Sequence, residues 1–227
     1  MAVTTIPWND GSGDNIYLSA ASQVGDETVQ VSSDANTGAA RTQTVTFTSG
    51  VGGITRSLTV NQDAGVQSPL VRNLYSYIPK ATDGAWYLLE NPSNAYTDET
   101  STNYSMIHLT RGSGAETYIY WLFDTSALPA NATIVSVECK AKVFVSNGTS
   151  TNIATRQVQM FSGTTAMGTS QNCTTTAGVK TFSGVTWTRE QLNDVRLRFY
   201  GVRGTKNTNA DYYFRLYGAT LTIEFTV

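Results

Sequence analysis

Few side chains in this sequence are of the kinds that perform chemistry, and their spacing brings few of them together. His108 is the sole histidine and lies in YSMIHLTR, alternating with Ile107 and Leu109 on the opposite face. A His/Cys metal centre needs ligands converging at defined spacings, and one histidine with two isolated cysteines, Cys139 and Cys173, supplies none of them. A serine triad would have to use the same histidine, without a G-x-S-x-G elbow to present the nucleophile. Paired carboxylates obey no spacing rule, because a glycosidase requires only two acids about 5–10 Å apart across a cleft. Asp98, Glu99, Asp124, Glu138 and Glu190 are available for that role. Asp124, at a strand end before TSALPAN, reads as a turn cap through its side-chain oxygens. In NDGSGD, Asp10, Ser12 and Asp14 have the alternate spacing of a calcium loop but lack its later glutamate. The expectation is a chain with no catalytic residues, no metal site and no cofactor, hence not an enzyme.

Aromatic side chains are the richer group, with four tryptophans and twelve tyrosines. Exposed rings serve as stacking platforms for the apolar faces of sugars, whereas core rings bury area. Trp121 alternates with Ile119 and Phe123 and reads as core. Trp86 and Tyr87, in the turn-like stretch DGAWYLLENPSNAYTDET, and Tyr96 after them are the candidate ligand-binding rings. In VRLRFYG, Val195, Leu197 and Phe199 take the core face, leaving Arg196, Arg198 and Tyr200 as an outward stripe suited to a partner surface.

These side chains are carried by strands. Charged residues make up 14% of the 227, while Thr, Ser, Asn and Gly are abundant, a balance that suits strands and turns. The formal net charge of -2 and the absence of a basic block argue against a nucleic-acid partner. No apolar run reaches the roughly 18 residues of a membrane span, and MAVTTIPWNDGSGD lacks the regions of a signal peptide. The expectation is therefore a protein made in a cytosol, with no membrane partner. Cys139 shares the apolar face of Val135, Val137, Ala141 and Val143, which suits a buried structural thiol.

Residues 15–62 contain four stretches of strand character: NIYLSA, ETVQVSS, RTQTVTFTS and ITRSLTVNQ. Thr44, Thr46 and Thr48 alternate with Val45 and Phe47, and Leu58 and Val60 alternate with Ser57, Thr59 and Asn61, so both stretches read as half-buried strands. SGVGG, residues 49–53, reads as the hairpin loop between them. Gly65 and Pro69 in DAGVQSPLVRN break the alternation and place a boundary, giving domains at 1–65 and 66–227. A second set of strands follows: NLYSYI, YSMIHLTR, TYIYWLFDT, IVSVECKAKVFVS, RQVQMFSG, VRLRFYGVRG and YYFRLYGATLTIEFTV. Just before VRLRFYGVRG, TREQLNDV offers one capped helical turn through Thr188 and Glu190.

The ANTGAAR turn, Asn36–Arg41, and the closing LTVNQDAG, Leu58–Gly65, resemble the carboxy-terminal part of a BACON module. That resemblance implies an immunoglobulin-like sandwich of a family common in Bacteroidetes proteins and their phages, here without its earliest strands. A unit of about 60 residues buries little surface, so a neighbouring subunit or the second domain is expected to cover it.

In the second domain, YIYWLFDTSALPANATIVSVECKAKV resembles a recurring piece of β-sandwich modules: a strand ending in Phe-Asp, a Leu-Pro corner, and a strand beginning ATI. Such modules occur in carbohydrate-binding bacterial surface proteins and in phage virion proteins, and WTREQLNDVRLRFYGVRGT with YYFRLYGATLTIEF is similar to the phage type. The fold expectation is all-β: an Ig-like, BACON-type β-sandwich unit followed by a jelly-roll β-sandwich domain. The function these resemblances imply is that of a bacteriophage virion protein, a head fibre or capsid decoration protein at the virion surface, assembled in the host cytoplasm. Its expected partners are further copies of itself, with a trimer favoured, capsid or other virion proteins, and host or mucus glycans. The alternative is a carbohydrate-binding accessory module of a Bacteroidetes surface protein.

Overall fold

A computed structural model describes residues 4–9, 13–19, 29–36, 38–48, 53–65, 67–81, 89–109, 114–146, 152–205 and 212–227, with backbone alone for 4 and 79–81. The chain is all-β and divides into two compact units, Met1–Gln67 with Thr226–Val227, and Ser68–Phe225.

In the first unit, β1 (Thr4–Pro7), β2 (Asn15–Leu18) and β3 (Val31–Ser33) form an antiparallel sheet in that order. Next, β4 (Arg41–Thr48) and β5 (Thr55–Gln62) pair as an antiparallel hairpin, with Thr48 opposite Thr55. The β4–β5 pairing follows the period-two pattern, whereas β1 carries no clear alternation and was not expected. Trp8, Ile16, Leu18 and Val45 form a small core, flanked by half-buried Ile6, Val29, Phe47 and Val60.

Polar side chains complete this small interior. Arg41, only 8% exposed, reaches Asp14 at 2.8 Å, donates from Nε to Gln62 at 2.9 Å, and lies 4.5 Å over the Trp8 ring. Gln62 in turn donates to the Asp34 carbonyl, and the Asp34 carboxylate accepts from the Asn15 amide at 2.8 Å and the Tyr17 hydroxyl at 3.0 Å. Asn36 ties the turn before β4 to the end of β5: its amide donates to the Ala39 and Asp63 carbonyls, and its oxygen accepts from the Gly38 amide. Cover is thin on β5. Leu58 stands opposite buried Val45 on the core-facing side yet is 39% exposed, and Ile54 is 57% exposed.

Among its described residues the second unit holds ten strands: β6 (Leu70–Ala81), β7 (Leu89–Glu90), β8 (Ser105–His108), β9 (Glu116–Phe123), β10 (Thr133–Val145), β11 (Ile153–Ser162), β12 (Thr165–Asn172), β13 (Gly178–Phe182), β14 (Val195–Arg203) and β15 (Tyr213–Thr226). Their hydrogen-bonded order is β12-β11-β14-β9-β6-β15-β10-β13, with β8 joining β15 and β7. Long β6 serves two layers: Leu70–Asn73 pair with β15, and Leu74–Ala81 pair with β9, with a register shift inside that ladder between Leu74 and Ser76. Such irregularities bend a strand and let it leave one sheet for another. The layers meet face to face, since Phe199 of β14 and Phe214 of β15 touch at 5.6 Å although two strands separate them in the sheet order. Trp121, Ile119, Leu197, Leu221 and Ile223 are fully buried between the layers. Gly218 lets the 97–98 backbone dock on β15, because a Cβ there would lie 2.1 Å from the Asp98 carbonyl oxygen.

Between β9 and β10 the chain turns a corner. The Asp124 carboxylate accepts from the Ser126 amide at 2.9 Å, the turn cap its position implied, and these Ser126 hydrogen bonds hold its carboxyl below the usual range. Arg189 then clamps the corner from 60 residues away, donating to the Pro129 carbonyl at 2.9 Å and the Leu128 carbonyl at 2.8 Å. The helical turn after it is a 3-10 turn, Gln191–Asp194, and its reciprocal cap joins Thr188 to Gln191 rather than to Glu190. The Thr188 amide donates to Gln191 Oε1 at 2.9 Å, and the Gln191 amide donates to Thr188 Oγ1 at 3.2 Å.

Candidate binding face

Strand β14 lies between β11 and β9, and its register decides what the outward stripe meets. Arg196 stands opposite Leu122 on β9 and Phe161 on β11; Arg198 opposite Tyr120 and Gln159; Tyr200 opposite Tyr118 and Gln157. Alternation puts all nine on the outer face, with Leu197, Phe199, Trp121 and Ile119 turned into the core.

Phe161 and Tyr120 lie on this outer face yet are buried, because arginines cover them. The Arg198 guanidinium sits 4.2 Å over the Phe161 ring and 5.1 Å from Tyr200, and Arg196 lies 5.4 Å over Tyr120. Each such contact is worth about 0.5–2 kcal/mol, depending on how dry it is. Edge contacts continue the array: Tyr120 on Phe161 at 5.4 Å, Tyr118 on Tyr120 at 5.7 Å and Tyr118 on Tyr200 at 6.4 Å.

Two of the three stripe residues are engaged within the chain. Arg196 donates twice to Asp194, at 2.6 and 2.5 Å, which holds its guanidinium firmly charged. The Tyr200 hydroxyl donates to Glu116 at 2.9 Å, and partial burial together with that bond raises its pKa. Arg198 differs: among the described residues no carboxylate pairs with it, and its Nε is buried without a hydrogen-bond partner. The face is thus a rigid aromatic platform carrying one guanidinium whose charge is not neutralised by a direct partner.

Of the candidate rings, Trp86 and Tyr87 lie outside the described residues. Tyr96 is half-buried beside the 3-10 turn Pro92–Ala95 and turns its edge to Trp121 at 6.3 Å, so it packs on the core rather than standing free; burial raises its pKa. It is not brought together with Arg196, Arg198 and Tyr200. Tyr118, Tyr120 and Phe161 were not singled out from the sequence, although the alternation in TYIYWLF already separates Tyr118 and Tyr120 from Ile119 and Trp121.

The remaining chemical candidates have structural surroundings. His108 Nε2 lies 3.2 Å from Glu90 Oε1, a close contact without hydrogen-bond alignment, and the ring packs near Tyr213. Cys139 and Cys173 are free buried thiols; burial raises both pKa values, that of Cys173 to about 12. Asp98 accepts from Thr100 and Glu99 from Thr220, and Asp14 pairs with Arg41. Asp10 and Ser12 lie outside the described residues, and among those described no cluster of three metal-ligating side chains occurs. No helix of the described residues is long and apolar enough to cross a membrane.

No family model matches the chain, and no curated protein is similar enough in sequence to stand as a relative.

Proposed function

We propose that this chain is a structural attachment protein of a bacteriophage particle, a head fibre or capsid decoration protein displayed at the virion surface as a homo-oligomer, with a trimer favoured. The observation that supports a binding rather than a catalytic role is the outer face of β11, β14 and β9. There Arg198 is held over Phe161 and beside Tyr200 without a carboxylate partner. Rings locked by stacking and arginines lose little freedom when a partner arrives, and preorganisation of this kind favours affinity. On a particle that displays many copies, weak contacts of this face with capsid proteins, or with host or mucus glycans, would add up through multivalency. The resemblance of 118–143 to sandwich modules of bacterial surface and phage virion proteins, and of 187–205 and 212–225 to the phage type, supports the choice of particle.

Mass spectrometry of gradient-purified virions tests this reading. The expected result is the chain at a stoichiometry of many copies per particle, lost from the peak only when the particle is disrupted. Absence from purified virions overturns it and leaves the accessory-module alternative. For that alternative the same face supplies the rings, Tyr118 and Tyr200, and a glycan array with Arg198→Ala as control is the corresponding assay.

A further inference from the structure

A second feature lies on a different part of the second unit and does not depend on the particle that carries the chain. Strand β10 runs from Thr133 to Val145, but its neighbour β13 pairs only with Cys139–Val143, the ladder ending at Cys139 opposite Phe182. Beyond Phe182 the chain leaves the sheet through Gly184, at φ 74°, and runs on to Trp187. No backbone hydrogen bond among the described residues links Ser183–Trp187 to Ile134–Glu138. A groove of about 480 Å³ is lined by these two segments and, across β10, by Thr222 and Glu224 of β15.

Packing keeps the groove open. Val185 is seated against Gly168 of β12, where a Cβ would come within 2.7 Å of its Cγ2, and Trp187 is 6% exposed. Val185 and Trp187 thus hold the 183–187 segment off the line of β13. One consequence is visible in Val135. It lies on the same strand face as Val137, Cys139, Ala141 and Val143, all buried, and the sequence pattern turns it inward with them; it is instead 55% exposed. The inward-facing side of β10 is uncovered at Val135, where the line of β13 has also ended.

An unpaired strand edge offers alternating backbone donors and acceptors and takes up extended chains by strand addition. The groove lies where β13 would have continued, about 4.8 Å from β10 in an ordinary sheet. Its volume falls in the range of roughly 300–1,000 Å³ typical of ligand sites. The charges that line it are both acidic: Glu224, exposed and accepting from Ser136 at 2.8 Å, and Glu138, which Lys140 partly neutralises at 2.8 Å.

We propose that this groove is a strand-addition site for an extended, basic segment of another polypeptide. The segment would pair with Ile134–Glu138 in the line of β13, place an apolar side chain beside Val135, and direct a Lys or Arg to Glu224.

The test uses the full chain, ¹⁵N-labelled, and a synthetic nonapeptide of alternating Lys and Val with blocked ends. The expected result is saturable shifts confined to the amides of 134–138 and 183–187. Replacing Lys by Glu, or N-methylating alternate amides, should abolish them. Glu224→Gln should weaken binding roughly two- to five-fold, the scale of an exposed ion pair. Val135→Lys, at an exposed position, should remove binding with the melting profile unchanged. No shifts up to millimolar peptide, equal binding of the N-methylated peptide, or occupation of the same amides by an oligosaccharide in place of the peptide would each overturn the proposal. None of these outcomes bears on whether the protein is found in virions, so the two readings fail separately.

Discussion

The two units solve the same problem with different means. In the second, Trp121, Phe199, Phe214 and their aliphatic neighbours bury a broad apolar layer between two sheets. In the first, the buried hydrophobic cluster of Trp8, Ile16, Leu18 and Val45 is completed by Arg41, its charge answered by Asp14 and its flat guanidinium laid on Trp8. A small unit has little interior for its surface, so each polar contact carries a larger share of its stability. An apolar core tolerates no loss of volume, and a polar one tolerates no loss of a partner.

Deleting volume in the apolar layer should have the largest effect. Trp121→Ala removes a fully buried ring in contact with Tyr77 at 5.5 Å and Tyr96, and should cost about 3–5 kcal/mol. Hydrogen exchange should show protection lost in β9, β14 and β15 and kept in the β4–β5 hairpin; loss in both would mean that the two cores unfold together. Arg41→Ala should come next, at about 2–3 kcal/mol in urea denaturation, below the 3–5 of a fully buried pair because Asp14 reaches solvent. Its exchange signature should be the reverse, confined to β1–β5. If Arg41→Met costs nothing, the polar interior is dispensable and the contrast fails.

A smaller effect is expected where the apolar unit depends on a polar clamp. Arg189→Ala removes two hydrogen bonds to the Leu128 and Pro129 carbonyls and should cost about 1.5–3 kcal/mol, read as a lowered urea midpoint. Arg189→Lys should rescue little of it, since an ammonium cannot reproduce the fork. The smallest effect is acid sensitivity. The carboxyls of Asp124 and Asp98 are held below their ordinary value by hydrogen bonds from Ser126 and Thr100. A lowered folded-state pKa contributes stability that is present above the unfolded value near 3.8 and is lost as pH falls through the folded one. Melting followed from pH 5 to pH 2 should therefore show a shallower acid loss for Asp124→Asn than for the parent chain; parallel curves would remove this contribution.

Much of the strand content is legible in the sequence because burial on one face writes a period of two into it. RTQTVTFT and VRLRFYG announce β4 and β14, and TSALPAN announces the corner that follows β9. The edge strand β12, TAMGTSQN, buries only Met167, and the short β13, GVKTF, buries only Phe182, so neither leaves a pattern to read. For the binding face, alternation separates Arg196, Arg198 and Tyr200 from the core. It does not reveal that Phe161 and Tyr120 already lie under the arginines of that stripe, because those contacts depend on which strands lie beside β14.

Local chemistry in the sequence is sufficient for what is settled within a strand or a turn: which face Leu197 and Phe199 take, that Asp124 caps its own turn, and that the chain is built of strands. Tertiary structure alone decides what depends on partners far along the chain. It sets Arg198 over Phe161, brings Arg189 to the Leu128 and Pro129 carbonyls, and ends the β13 ladder at Cys139 so that Val135, patterned as core, faces an open groove. The physical reason is that side-chain alternation is a property of one strand, whereas register, neighbour order and the length of a ladder are properties of two.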